Sequence, residues 1–332
     1  MPRKLLILLA ALIVTASLPR EARALDRVVF GTDWKAEAEH GGYYQAIATG
    51  LYRKYGIAVE LREGGPQINQ SQLLAAGRLD FSIASNSFIG MNFVEQKIPM
   101  VAVAALFQKD PAVLIAHQGV GNDSLVALKG KPIMIGGDTR VGWWLFLKAK
   151  FGYTDAQIRP YTFDVAPFLA NKNAVQQGYL TSEPFLIEQQ GVTPNVFLLA
   201  DVGYASYGSI IETSAKLIAQ KPDLVQRFVD ASIEGWYSYL HGDPAPGNAL
   251  IKRDNPEESD ALIAYAIKAM KDHGIVDSGD ARSAGIGAMT EARWQSFFAV
   301  MAAQGLYPKT MDWHAAYTLR FVDHRVGMAR KP

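Results

Sequence analysis

The spacing of apolar and polar positions changes several times along the chain. Tyr44, Ile47, Ala48, Leu51, Tyr52 and Tyr55 recur at helical spacing, and Gly56 follows as a stop signal. Short β-rich runs flank this helix, RVVFGTDW at 27–34 and IAVELREGG at 57–65. Next come a helix in NQSQLLAAGR (69–78), a strand in LDFSIAS (79–85), a helix in NSFIGMNFVEQK (86–97) and a strand in MVAVAALF (100–107). Alternation of this kind predicts an α/β fold, a parallel sheet with helices on its faces.

A second α/β unit follows the polar stretch AHQGVGNDSLVALKG (116–130). Its pieces are KPIMIGG (131–137), a helix in WWLFLKAKFG (143–152), IRPYTFD (158–164), a helix over about 168–177, then GYLTSEPFLIEQQG (178–191) and VFLLAD (196–201). From Ser214 onward the pattern is amphipathic helix. Such helices need a partner surface, and the tail is expected to pack back on the first lobe. No short-period repeat or low-complexity tract interrupts the chain.

The N-terminus stands apart from this pattern. Pro-Arg-Lys precedes an apolar run from Leu5 to Ala16, and ARA occupies 22–24. This is the layout of a secretory signal peptide cut near Ala24, and the run is short for a membrane span. The chain has 332 residues, a net charge of +1 and no cysteine. Near-neutral charge argues against a nucleic-acid partner. The lack of cysteine excludes disulfides, a thiol nucleophile and a Cys-type metal site. An exported, cysteine-free chain suits a bacterial periplasm.

Catalytic signatures are missing: there is no Gly-x-Ser-x-Gly elbow, phosphate loop or His-Glu-x-x-His. No cofactor is expected. In open α/β sheets ligands bind beyond the carboxyl ends of the strands. Those ends carry Asp33 and Trp34, Gln67, Ser85, Asn86 and Ser87, and Phe107. Asp33 suits a turn cap or a ligand contact, while Trp34 offers a flat stacking face. Ser85, Asn86 and Ser87 suit a helix cap, with free backbone N–H groups able to meet a polar ligand. His40 lies between a strand end and a helix start. In the second unit Thr139 is a plausible N-cap. Trp143 and Trp144 are adjacent, so one is expected in the core and the other more exposed. Glu183 in GYLTSEP sits among apolar and small polar residues, where a carboxylate needs a partner. A salt bridge or an amino-bearing ligand would each serve.

The opening W…HGGYY…GLYRKYGIAVE, the run LLAAGRLDFSIAS and the segment GYLTSEP together resemble the periplasmic substrate-binding proteins of ABC importers. Within them, the likeness is to the branch related to the thiamine-pyrimidine synthase. The resemblance implies a two-lobed type II periplasmic-binding-protein fold with a hinge and a C-terminal helical region. It implies a signal peptide at 1–24, a first lobe of 25–117 plus 210–332, and a second lobe of 118–209. It also implies crossings near 116–120 and 203–212, and an interlobe cleft in which Trp34 and Tyr43 or Tyr44 stack on a ring while Glu183 accepts from its amino group. The implied protein is a periplasmic monomer with a small-molecule ligand and an inner-membrane ABC permease as partners. A thiamine pyrimidine precursor is the expected solute, with riboflavin or taurine, sulfonate or nitrate as alternatives. An enzyme of pyrimidine synthesis is the alternative of another class. The eukaryotic synthase of that kind carries a cysteine-rich iron motif, which this chain lacks.

Overall fold

The computed structural model describes residues 24–65 and 68–330. The signal-peptide expectation for 1–24 therefore lies almost wholly outside the described residues, and Gln67 lies outside them too. Among the described residues, ten strands form two five-stranded sheets. They are β1 (Asp26–Gly31), β2 (Ile57–Arg62), β3 (Phe81–Asn86), β4 (Met100–Phe107), β5 (Ala112–His117), β6 (Ile133–Ile135), β7 (Ile158–Pro160), β8 (Val175–Tyr179), β9 (Pro194–Leu198) and β10 (Gly208–Ser214). The first sheet has the order β2-β1-β3-β10-β4 and the second β7-β6-β8-β5-β9.

The expected parallel pairing holds for β1 with β2 and with β3. The first sheet is nevertheless mixed. β10 returns from the second lobe and inserts antiparallel between β3 and β4. β5 does the reciprocal thing, pairing antiparallel with β8 and β9. Each crossing strand thus completes the other lobe's sheet.

Two boundaries differ from the sequence reading. The run AVLIAH at 112–117 falls within the expected first lobe, with the crossing expected near 116–120. All six of its residues are buried in the second sheet, so the first crossing falls between Phe107 and Ala112. The return falls between Leu198 and Gly208. An apolar run between two turns is legible as a strand but carries no mark of which sheet it joins. The helix expected over 168–177 is a short one at Ala166–Ala170 followed by β8. Asn171 ends the helix in extended geometry, and its side chain accepts from the amide of Asn173 (3.0 Å) to start a turn. The first helix also breaks early, at Gly50 with φ +73°, into Gly41–Ala48 and Leu51–Lys54.

The C-terminal helices do cover the first lobe. The Pro222–His241 helix buries one face, including Phe228 and Trp236, against β1, β3 and the Gly41–Ala48 helix. Phe81 and Phe228 stack with centroids 4.0 Å apart. Gly41 and Gly42 make the helix contact possible, because a Cβ on either would overlap the ring of Tyr239 or Trp236. Among the described residues no helix is long and apolar enough to cross a membrane.

Candidate functional site

The carboxyl ends of β1 and β3 meet at Asp33. Its Oδ1 lies 2.9 Å from His40 Nε2, and its Oδ2 accepts from the Ser85 hydroxyl (2.6 Å). Gly64 closes against the same turn, donating to the Trp34 carbonyl (3.1 Å). A Cβ there would sit 2.5 Å from the Thr32 carbonyl oxygen. Three of the expected residues, Asp33, His40 and Ser85, therefore form one hydrogen-bonded unit, with Trp34 the next residue along.

The second lobe answers from the opposite side. Phe163, just past β7, places its ring 4.7 Å from that of Trp34, with planes tilted by 48°. Its backbone is left-handed, φ +60°, a costly geometry for an aromatic residue. Tyr161 lies against Phe163 (5.1 Å) and donates its hydroxyl to Glu183 Oε1 (3.0 Å). The Tyr179 amide donates to Glu183 Oε2 (2.8 Å). Glu183 thus has two protein donors, and each oxygen keeps a lone pair for a further one.

Direct contacts join the lobes here. The Thr181 hydroxyl donates to Glu39 Oε1 in a short hydrogen bond, and Tyr265 donates to the Leu180 carbonyl (3.3 Å). The surroundings are strongly acidic. Burial, then the neighbouring Glu39, Asp33, Glu258 and Glu183, holds the Glu37 carboxyl well above its ordinary range. Burial also raises Glu39 and Glu183, and burial followed by Glu39 pushes Glu258 up to about 8. The cation on this loop, Lys35, is paired with Glu257 (3.0 Å).

Other expected residues have different positions. Tyr43 and Tyr44 are core side chains, buried to 0% and 1% exposure. Tyr43 packs edge-on against Phe30 and Trp236, and its hydroxyl is 3.2 Å from Ser209 Oγ. Asn86 caps the Ser87–Glu95 helix, accepting from the Phe88 amide (3.1 Å). Ser87 is tied to the return crossing through Ser206 and Tyr207. Phe107 is buried edge-on against Trp236 (5.4 Å). Thr139 caps no helix: the Trp143–Phe151 helix starts from Gly142 without a side-chain cap. Trp143 and Trp144 are both buried in the second core, where the adjacency of the pair predicts one in the core and the other more exposed.

Sequence reasoning missed Glu37, Glu39, Phe163, Tyr179 and Thr181. The strand-end rule, applied to β7 and β8 as it was to the first lobe, picks out Phe163 and Tyr179. Nothing in the pattern marks Glu37 or Glu39, whose importance comes from what closes over them.

Two sheets joined by two antiparallel crossing strands define the two-lobed type II periplasmic-binding-protein fold. Residues 37–245 match the family described as NMT1/THI5 like, and the chain belongs to that family. It is similar to the riboflavin-binding protein RibY of Chloroflexus aurantiacus, 26% identical over 322 residues, covering 94% of this chain and 91% of that one. Its fold is that of the alkanesulfonate-binding protein SsuA from Xanthomonas axonopodis pv. citri, solved with MOPS (TM-score 0.65, 15% identity, 90% of this chain and 99% of that one). The desulfurization enzyme DSZB shares it as well (TM-score 0.57, 12% identity, 89% and 97%), so the fold alone does not separate binding from catalysis.

Proposed function

We propose that this protein is the solute-binding component of an ABC importer, working in the periplasm, and that its cleft takes riboflavin or a closely similar flat, donor-rich heteroaromatic. The observation that carries this reading is the Trp34–Phe163 ring pair, one ring from each lobe, set beside Asp33, Glu37 and Glu183. Opposed aromatic faces suit a planar ring, and carboxylates suit ring N–H groups and hydroxyls. The relative named for riboflavin binding supports the flavin over other rings. An anion such as a sulfonate or nitrate would meet carboxylates where it needs a cation. The rings touch in the closed arrangement, so the solute enters when the lobes part.

A second reading has its own observation. Each oxygen of Glu183 already has one donor and room for another. That arrangement would read the amino group of an aminopyrimidine, such as a thiamine pyrimidine precursor.

Thermal unfolding with riboflavin, hydroxymethylpyrimidine, taurine and nitrate separates these readings. A ligand at a hundred times its Kd stabilises by about 2.7 kcal/mol. Stabilisation by riboflavin is expected. A shift with taurine or nitrate alone would overturn both heteroaromatic readings.

A further inference from the structure

The two crossings are held on both sides, and the holds leave one narrow place to bend. On the first crossing, the amides of Gln108 (2.6 Å) and Lys109 (3.1 Å) both donate to the Ile275 carbonyl of the C-terminal region. The Gln108 side chain donates to the Ala288 carbonyl (2.9 Å). One residue further on, the hold changes lobe: Asp110 accepts from the Ala112 amide (3.0 Å), and the Pro111 carbonyl accepts from Leu180 (2.9 Å). On the second crossing the Tyr204 amide is still bonded to Leu199 of the second lobe (3.1 Å). Ala205 and Ser206 are not: their carbonyls accept from Arg293 Nε (3.1 Å) and Nη2 (3.1 Å).

Arg293 reaches both crossings. The same Nη2 donates to the Gln108 carbonyl in a short bond, and the guanidinium lies 4.1 Å from the centroid of the Tyr207 ring. Tyr207 is fastened in turn, its hydroxyl donating to Asp280 (2.7 Å) and accepting from the Thr290 amide (2.9 Å). A depression of about 600 Å³ lies behind this point, with Tyr204, Arg282 and Arg293 among its lining residues. The contacts that cross the break are an ion pair of Lys109 with Asp201 (3.5 Å) and the Tyr204 ring beside Phe88 (6.3 Å) and Phe297 (6.4 Å).

We propose that Arg293 is the positioning residue of lobe opening: it makes residues 108–109 and 205–207 one body with the C-terminal helices, so the bend falls at the 109–110 and 204–205 links. This rests on the reading that the lobes part to admit a solute. Planar guanidinium donors suit the task because one rigid group holds three carbonyls at fixed spacing. Lysine presents no such fork. Arg293 acts on affinity through the open–closed balance and not through contact with Trp34 or Phe163.

The absence of cysteine makes the test direct. Spin labels on Arg78→Cys and Lys172→Cys, exposed positions on different lobes, report the interlobe distance by pulsed electron resonance, with and without riboflavin. In the parent a single narrow distribution is expected in each state. Arg293→Met, which keeps length and loses the donors, should broaden the distribution of the free protein and weaken riboflavin binding about tenfold. Arg293→Lys should do the same to a smaller degree and serves if the methionine variant does not fold. A core variant of equal thermal loss, Val225→Ala, should leave the distances unchanged. Unaltered distances in both Arg293 variants would overturn the proposal. If the parent binds no riboflavin, the flavin reading fails, while the free-protein distances still decide the pivot.

Discussion

Trp34 and Phe163 belong to different lobes and stand with ring centroids 4.7 Å apart. Trp34 comes from the loop after β1 and Phe163 from the loop after β7, so their contact exists only because the two sheets face each other across the crossings. Both are partly exposed, Phe163 to 41%, and neither belongs to a core cluster.

Replacing either ring should therefore cost binding and spare folding. Trp34→Ala and Phe163→Ala are each expected to weaken riboflavin at least about tenfold, or ~1.4 kcal/mol. The thermal midpoint of the free protein should stay within a degree or two of the parent, as for other exposed positions. Flavin fluorescence titration and a melting curve read the two quantities separately. Parent affinity in both variants would remove these rings from the site.

Gly42→Ala should do the reverse. The new methyl group would overlap the Trp236 ring, and overpacking of this kind costs about 1–3 kcal/mol. Urea unfolding should show the loss in the midpoint. A neutral outcome would mean that the Pro222–His241 helix shifts freely on its partner.

The motif HGGYY shows how far the sequence could be read. The division of labour was not legible. In the fold the two glycines admit Trp236 and Tyr239, almost two hundred residues away in sequence. Tyr43 and Tyr44 turn into the core, whereas Asp33, Trp34 and His40 remain at the strand end as expected. Helical periodicity locates a stripe but cannot say whether the other face meets solvent or a later helix. The same limit hid β10: a strand that completes another lobe's sheet has no local mark of its destination. The α/β class, the two lobes and the helical tail were legible because they depend on local period alone.

The interlobe contact of Thr181 with Glu39 yields a further test. Thr181→Val keeps the shape and removes the hydroxyl donor. Glu39, only 5% exposed, then keeps a buried carboxylate short of one partner, at a cost of about 1–3 kcal/mol. Glu39→Gln should cost less, since a neutral amide oxygen still accepts from Thr181 and no charge is left buried. Chemical denaturation of both variants at pH 7 checks the order. The reverse order would show that the charge itself holds the lobes together.

Glu212 predicts how stability varies with pH. It lies on β10 at 1% exposure, with neither carboxylate oxygen hydrogen-bonded. A Cβ on Gly90 would come 3.3 Å from Oε1, so the helix that begins at Ser87 covers it closely. Burial pushes its pKa from 4.5 to about 8. Between those values the folded protein holds a proton that the unfolded chain has released. Stability therefore falls with rising pH across that window, by about 1.4 kcal/mol per pH unit for one such group. The contribution is intact below 4.5 and lost as pH passes 8. Glu258, also near 8, and Asp110, near 7, slope the same way, so the parent curve alone cannot isolate Glu212. Glu212→Gln can, because glutamine keeps the volume and never ionises. Its stability should match the parent near pH 4.5 and exceed it increasingly toward pH 9, by several kcal/mol. Urea unfolding at pH 5, 7 and 9 measures the gap. A gap that stays constant with pH would mean that Glu212 is ionised in the fold and that a partner balances its charge.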